Sequence, residues 1–178
     1  MNREQRRREC DGCGTTEAAM IHNVRERGIL RRECTDCLLK SHNGLFCPVC
    51  LQVFEGIVPP PSSRLICLSC PSITHLSCSD PSSSSSFTCP PCSDPLFSFF
   101  PVSPSSPLDK QSAKALVAAA KISALSMSKA EALAKNEADK RVREAAFARK
   151  RAQEALLHLN SLGSTPPPPD PTTTNSGP

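Results

Sequence analysis

Cysteine thiols and one histidine are the residues of this chain whose types and spacing suit a defined chemistry. The 178 residues include 11 Cys, most of them in pairs separated by two residues. Such a pair suits zinc because a tight turn places two sulfur atoms on one ion, about 2.3 Å from the metal. With His75 there are 12 donors, enough for three ions with four ligands each. The predicted ligands are Cys10, Cys13, Cys34, Cys37, Cys47, Cys50, Cys67, Cys70, His75, Cys78, Cys89 and Cys92.

The cysteines could instead form disulfide bonds, but an odd number of cysteines excludes complete pairing within one chain. No apolar stretch follows the charged residues 1–10, so no secretory signal is expected. No apolar run approaches the roughly 18 residues of a membrane span. A reducing compartment, where paired thiols favour metal, is therefore expected. Counting 11 thiolates and three divalent ions moves the formal net charge from +4 to about −1, which argues against a generally basic nucleic-acid binder.

The ligand order in residues 47–92 is four Cys, one His and three Cys, with four residues between Cys70 and His75. This order and this gap resemble the PHD finger, and Phe87 stands where that family carries an aromatic residue before its last pair. The resemblance implies cross-braced ligation: Cys47, Cys50, His75 and Cys78 on one ion, and Cys67, Cys70, Cys89 and Cys92 on the other.

The same resemblance implies a peptide, such as a histone tail, that adds a strand beside residues 63–66. The residues assigned to this peptide site are Glu55, Ser63, Arg64, Leu65 and Ile66. Methyl-lysine readers of the family have an aromatic cage wall where Ile73 stands here, and the chain has no Trp or Tyr. An aliphatic wall offers no cation–π attraction. Weak or no binding of an unmodified tail is therefore expected, without preference for trimethyl-lysine.

A RING-like ubiquitin ligase is the alternative for this segment, since Cys47-Pro48-Val49-Cys50 and Cys89-Pro90-Pro91-Cys92 resemble RING finger pairs. RING fingers, however, mostly place their histidine closer to the third cysteine. They also commonly carry a basic residue after the last ligand, where Ser93 stands here.

The first four cysteines form two Cys-x2-Cys pairs separated by 20 residues, the layout of a treble clef or zinc ribbon. Thr15-Thr16 and the segment 34–40 also weakly resemble the GATA finger, which implies a DNA-binding alternative. Arginines in residues 25–32 could contact phosphates, although Glu26 and Glu33 interrupt them. DNA contact is therefore left open. His22 and His42 are expected on the surface, because the cysteines already complete every site.

The elements that must position these ligands are expected to be small, because the chain has few large apolar residues outside its cysteines. The predicted fold is small zinc-stabilised modules, one treble-clef or ribbon-like and one cross-braced and PHD-like, followed by a long α-helix and a disordered tail. The predicted boundaries are a basic arm over 1–9, a four-cysteine zinc module over 10–45, a PHD-like finger over 46–95, a Pro/Ser linker over 96–106, a helix over 107–162 and a disordered tail over 163–178.

The predicted helix has Ser106 as its N-cap, Pro107 at its first position and Gly163 at its end. With position d at Ala113 and position a at Val117, a seven-residue repeat with a mostly Ala seam runs to Leu162. This pattern predicts a coiled coil with a partner, and a solvated single helix is the alternative. Basic clusters at 140–143 and 149–151 resemble a split nuclear-localisation signal.

The sequence shows no nucleophile–base pair, phosphate loop or paired carboxylates, and four protein ligands leave a zinc ion no open position for water. The chain resembles small plant-type proteins of the RING/FYVE/PHD superfamily that carry an Ala-rich helix. This resemblance implies a non-enzymatic nuclear chromatin protein, an accessory or scaffold subunit of a chromatin-modifying or remodelling complex. The expected partners are other subunits, bound through the 107–162 helix, with no membrane involved.

Overall fold

The structure is a computed structural model that describes residues 9–79, 87–101 and 108–163. The predicted basic arm (except residue 9), residues 102–106 of the linker, and the tail beyond residue 163 lie outside these ranges. The chain divides into two compact units, Met1–Ala132 and Leu133–Pro178. The elements are β1 (Ile21–Glu26), β2 (Ile29–Cys34), α1 (Thr35–Ser41), β3 (Arg64–Ile66), β4 (Ile73–His75), α2 (Pro90–Ser93) and α3 (Lys110–Gly163). Short 3-10 turns precede β3 (Pro61–Ser63) and follow β4 (Leu76–Cys78).

Strands β1 and β2 form an antiparallel hairpin, in register from Ile21 opposite Cys34 to Glu26 opposite Ile29. The two residues of its turn, Arg27 and Gly28, have φ angles of 49° and 86°. Positive φ at both central residues gives the turn the twist that a hairpin requires. The hairpin thereby returns the chain to the loop that carries the first cysteine pair.

The second sheet is a three-residue ladder in which Arg64, Leu65 and Ile66 of β3 lie opposite His75, Thr74 and Ile73 of β4. A sheet this short cannot be stable alone. Cys67 follows β3 directly and His75 is the last residue of β4, so the ladder connects residues of both predicted sites of the PHD-like segment.

The hydrophobic core of the first unit draws residues from the hairpin, from α1, from residues 46–53, from residue 99 and from the first turns of α3. Phe99 is 4% exposed and its ring lies 5.5 Å from that of Phe46, edge to face. Residues 97–100, predicted to be part of a linker, therefore pack into the core. The core consists of Val24, Leu38, Leu39, Phe46, Leu51, Val53, Phe99, Ala115, Ala118, Ala119 and Ile122.

Helix α3 begins three residues later than predicted, at Lys110. The side-chain Oδ1 of Asp109 accepts a hydrogen bond of 2.6 Å from the backbone N–H of Ser112. An aspartate in this position satisfies an amide that has no partner within the helix, so it acts as the N-cap. The predicted cap residues Ser106 and Pro107 lie outside the described ranges.

The first turns of α3 pack on the rest of the first unit through a face other than the predicted heptad seam. Its buried residues are Ser112, Ala115, Ala118, Ala119, Ile122 and Ala130. The seam residues Val117, Ala120 and Ala124 are exposed. Ser126 Oγ accepts a hydrogen bond from Arg25 N–H (2.9 Å), and Ser123 Oγ donates one to the Asn23 carbonyl (2.6 Å). The helix thus covers the free edge of β1, which would otherwise expose unpaired backbone groups.

Helix α3 is long but contains no stretch apolar enough to cross a membrane, and the same holds for every other helix in the described ranges.

Candidate metal centres

The first metal centre joins the two N-terminal cysteine pairs. The sulfur atoms of Cys10, Cys13, Cys34 and Cys37 all lie within 4.8 Å of one another. The Sγ atoms of Cys13 and Cys34 are 3.9 Å apart. Four sulfur atoms about 2.3 Å from a central zinc ion, at tetrahedral angles, are about 3.8 Å from one another. The observed spacing fits such an ion.

Backbone amides hold the sulfur atoms of this centre in place. Cys10 Sγ accepts hydrogen bonds from Cys34 N–H (3.2 Å) and Gly12 N–H (3.4 Å), while Cys34 Sγ accepts one from Cys37 N–H (3.5 Å). Cys34 thereby also caps α1. A Cβ atom on Gly12 would lie 3.0 Å from both Cβ and Sγ of Cys37, so this position needs glycine.

The second metal centre contains the single histidine ligand, together with Cys47, Cys50 and Cys78. His75 Nδ1 lies 3.4 Å from Cys50 Sγ and 3.8 Å from Cys78 Sγ. A tetrahedral zinc ion with ordinary bond lengths places its sulfur and nitrogen ligands about 3.6 Å apart. The Phe54 ring contacts His75 edge to face, with centroids 5.6 Å apart, and fixes the imidazole plane. The distances and the ring orientation both suit a zinc ligand.

The third metal centre consists of Cys67, Cys70, Cys89 and Cys92. Cys70 Sγ and Cys89 Sγ are 3.5 Å apart. Cys67 Sγ accepts hydrogen bonds from Cys89 N–H (3.3 Å) and Ser69 N–H (3.5 Å). The second and third centres interleave along the chain, since the pair Cys67/Cys70 lies between the two halves of the second centre. All 12 predicted ligands are therefore brought together in the three predicted groups of four.

The pKa values of individual thiols in the second and third centres are shifted in opposite directions. Burial raises the pKa of Cys67, but amide hydrogen bonds from Cys89 and Ser69 outweigh it and bring the pKa to about 6. Burial, together with the neighbouring charge of Cys47, raises the pKa of Cys50 to about 11. The pKa of Cys47 is lowered, and its thiolate thus opposes the ionisation of the neighbouring Cys50. A divalent cation that prefers sulfur and imidazole ligands removes this repulsion.

No disulfide competes with this arrangement, since all 11 cysteines are free. Three groups of four Cys or Cys/His donors with tetrahedral spacing fit three zinc ions. When bound, zinc would link distant chain segments through its four ligands and thereby stabilise the folded unit.

The predicted peptide site lies on and beside β3. Arg64, Leu65 and Ile66 form the strand, and Ser63 ends the 3-10 turn before it. Glu55, expected to be available for a ligand's positive charge, instead accepts a hydrogen bond of 2.7 Å from Lys121 Nζ of α3. The sequence pattern contains no signal for this ion pair, because 66 residues separate its partners.

The outer edge of β3 has unpaired backbone groups. Cys67 N–H donates to the Ser72 carbonyl (3.0 Å), which makes this a hydrogen-bonded pair of the ladder. Hydrogen-bonded and non-bonded pairs alternate in antiparallel sheets, so the backbone groups of Arg64 and Ile66 point away from β4. Within the described ranges these groups have no hydrogen-bond partner, whereas Leu68 N–H, farther along the same edge, donates to the Phe87 carbonyl (3.0 Å).

The arginines considered for phosphate contact are partly engaged within the hairpin. Arg31 forms ion pairs with Glu26 and with the buried Glu33, both at 3.2 Å. Arg32 lies 3.6 Å from Asp11. These contacts reduce the positive charge that the hairpin offers to DNA.

His22 is buried, contrary to the expectation of a surface position. It is 7% exposed, and its Nε2 lies 3.0 Å from Thr35 Oγ1. Burial lowers its pKa, which favours the neutral imidazole. His22 points inward because its position in β1 alternates with exposed residues and shares a face with Val24. It belongs to none of the three metal centres.

Comparison with known proteins gives no relative for this chain. No protein-family model matches it, and no curated protein or solved structure is similar enough to count as a match.

Proposed function

We propose that this chain is a non-enzymatic, nuclear, chromatin-associated protein in which the two interleaved zinc centres form a PHD-type peptide-binding module. Its helix α3 would connect this module to other subunits of a chromatin-modifying or remodelling complex. The observation that carries the proposal is the unpaired outer edge of β3, held between two interleaved four-ligand groups. An extended peptide can add a strand to such an edge through main-chain hydrogen bonds.

Exposed aliphatic side chains support a peptide ligand at this edge. Ile66 on β3 is 54% exposed, and Leu68, farther along the same edge, is more exposed still. Aliphatic residues beside a free strand edge offer contacts for alternate side chains of an added strand. Main-chain hydrogen bonds would supply the affinity for such a ligand, and these aliphatic side chains would select apolar residues on it.

The aromatic residues near the finger support the absence of a methyl-lysine cage. Phe46 and Phe54 are buried in packing, and Ile73 is only partly exposed. A quaternary ammonium group needs exposed aromatic faces. The ion pair of Glu55 with Lys121 further reduces the charge available to a basic peptide. The proposed ligand is therefore an unmodified tail, bound weakly.

The non-enzymatic and nuclear parts of the proposal have separate supports. Each zinc ion would be saturated by four protein ligands, which leaves no coordination position for a substrate. The basic clusters at 140–143 and 149–151 are exposed on the helix surface, where an import receptor could bind them. In the part of the chain that the structure describes, no specific contact favours the ubiquitin-ligase or DNA-binding alternatives.

A peptide titration tests the proposal. The zinc-loaded full chain would be titrated with histone-tail peptides, unmodified and lysine-trimethylated, and we expect weak binding without a gain on methylation. Ile66→Pro removes an outward N–H while leaving the β3–β4 ladder bonds in place, so it should abolish binding. Ile66→Ala keeps that N–H and serves as the matched control, which should retain most of the affinity. Equal binding by the proline variant, with three zinc ions retained, would exclude the strand-edge site.

A further inference from the structure

Three of the seven large apolar side chains that α3 exposes in the second unit lie along one face. Val142, Leu156 and Leu159 are each more than 60% exposed. We name this the apolar face and define it by Ala138, Val142, Ala145, Ala152, Leu156 and Leu159. Taking about 100° of rotation per residue, all six lie within about 60° of the direction of Ala138. A largely apolar helix face that is exposed to water indicates a docking surface.

The charges on and beside this face are all positive. By the same rotation, Arg149 lies about 20°, and Lys135 and Arg141 about 60°, from the direction of Ala138. The four acids of the segment, Glu137, Asp139, Glu144 and Glu154, lie about 100° or more away. Arg141 pairs with Glu137 at 3.2 Å. Within the described ranges Lys135 and Arg149 have no acidic partner.

The geometry points to an acidic amphipathic helix of another protein as the occupant of the apolar face. Large apolar residues of such a helix would lie over the alanines, where the absence of longer side chains permits close approach. Its carboxylates would meet Lys135, Arg141 and Arg149, the arrangement by which flanking charges select a helical partner. This inference deepens the scaffold role of the proposed function and rests on it.

A second copy of this chain fits the face less well. It would contribute three more cations and no acid, so neither copy would neutralise a charge on the apolar face of the other. In a parallel pair, Arg149 would lie beside Arg149 of the copy. Like charges across an interface oppose association.

The test uses synthetic helices of known charge and the zinc-loaded full chain. One probe is a peptide of about four heptads with Leu at positions a and d and Glu at e and g; the other carries Lys in place of Glu. We expect the acidic probe to bind and the basic probe to fail. The double variant Lys135→Glu, Arg149→Glu should bind the acidic probe with an affinity lower by roughly tenfold or more, because both cations lie on the apolar face.

The control variant reverses the same number of charges away from the face, through Arg143→Glu with Lys150→Glu. It should retain the affinity of the parent chain, with unchanged helix content by circular dichroism. Equal losses in both variants would show general charge attraction and overturn the inference. A dimer of the chain without probe, monomeric after Ala145→Glu, would assign the face to a second copy and overturn it as well. Peptide binding at β3 is measured separately, so either proposal can fail alone.

Discussion

Backbone amides distribute charge unequally among the four ligands of a metal centre. Two N–H groups point at Cys67 Sγ and two at Cys10 Sγ, and these hydrogen bonds bring the pKa values of both thiols below the ordinary range, to about 6 and about 7. In the folded arrangement these two sulfur atoms therefore ionise more readily than an ordinary thiol. Burial and the neighbouring thiols raise the pKa values of Cys34 and Cys50 to about 11, so these two thiols depend on the cation for their ionisation.

Loss of a single cysteine tests the interleaving of the second and third centres. Cys89→Ala removes one ligand of the third centre, and we expect zinc content to fall from three to at most two. The β3–β4 segment should unfold as well, because little apolar core exists there to replace the metal. Native mass spectrometry and amide exchange report both effects. Ser93→Ala, a nearby surface change, is the control, and normal protection of residues 64–75 in Cys89→Ala would contradict the expectation.

His22 predicts a pH dependence of stability. Burial lowers the pKa of His22 in the folded state, so below its ordinary value of about 6.5 the unfolded chain binds more protons. Its contribution to stability is complete above that value and is lost as the pH falls through the folded-state pKa. His22→Gln does not titrate. Between about pH 7 and pH 5.5, the free energy of unfolding measured in urea should therefore fall more steeply for the parent chain than for the variant. Parallel pH profiles of the two proteins would contradict this expectation.

At the scale of elements, the position of α3 shows what local pattern can and cannot predict. The helix itself follows from its composition, and its start is within three residues of the prediction. The buried residues Ala115, Ala118, Ala119 and Ile122 have spacing i, i+3, i+4 and i+7, but alanines also occupy the alternative seam through Val117. Periodicity cannot choose between two Ala-rich faces. The hydrogen bonds of Ser123 and Ser126 with the hairpin determine which face is buried. Their partners, Asn23 and Arg25, lie about 100 residues earlier in the sequence, where a local pattern cannot detect them.

Adjacent alanines of α3 give a matched test of this packing. Ala119 is fully buried and Ala120 is exposed. Ala119→Asp places an unpaired charge in the core and should reduce the free energy of unfolding by about 3 kcal/mol or more. Ala120→Asp has the same helix propensity cost but lies on the surface, so it should change the free energy of unfolding by at most about 0.5 kcal/mol. Denaturant unfolding of zinc-loaded protein measures both, and equal effects would contradict the assigned buried face.

The ion pair between α3 and the peptide site predicts competition. Lys121→Ala frees the Glu55 carboxylate, so affinity for an unmodified basic peptide should rise, by up to about fivefold, as fits an exposed pair worth about 1 kcal/mol or less. Lys114→Ala removes a neighbouring charge without touching Glu55 and should have little effect. If both variants gain equally, general charge rather than the pair would explain the increase.

At the scale of the whole molecule, cysteine spacing predicted the ligands because zinc imposes its own geometry on short cysteine turns. The division of the ligands of residues 47–92 between two ions was implied by the resemblance to the PHD finger. The shared core was harder to predict. Phe99 was assigned to a linker because its neighbours are Pro and Ser, yet it contacts Phe46 more than 50 residues away. Chelation should therefore disrupt more than the metal centres. We expect removal of zinc to release the first turns of α3 from the hairpin, seen as loss of amide protection over residues 110–130.

Zinc stoichiometry tests the central claim most directly, because the three groups of four ligands account for every cysteine. Native mass spectrometry of the full chain, combined with thiol labelling, should give three zinc ions and no reactive thiol while the metal is bound. Cys13→Ser, measured beside it, should give two. Two zinc ions in the parent chain, with reactive thiols at Cys10, Cys13, Cys34 and Cys37, would contradict the account.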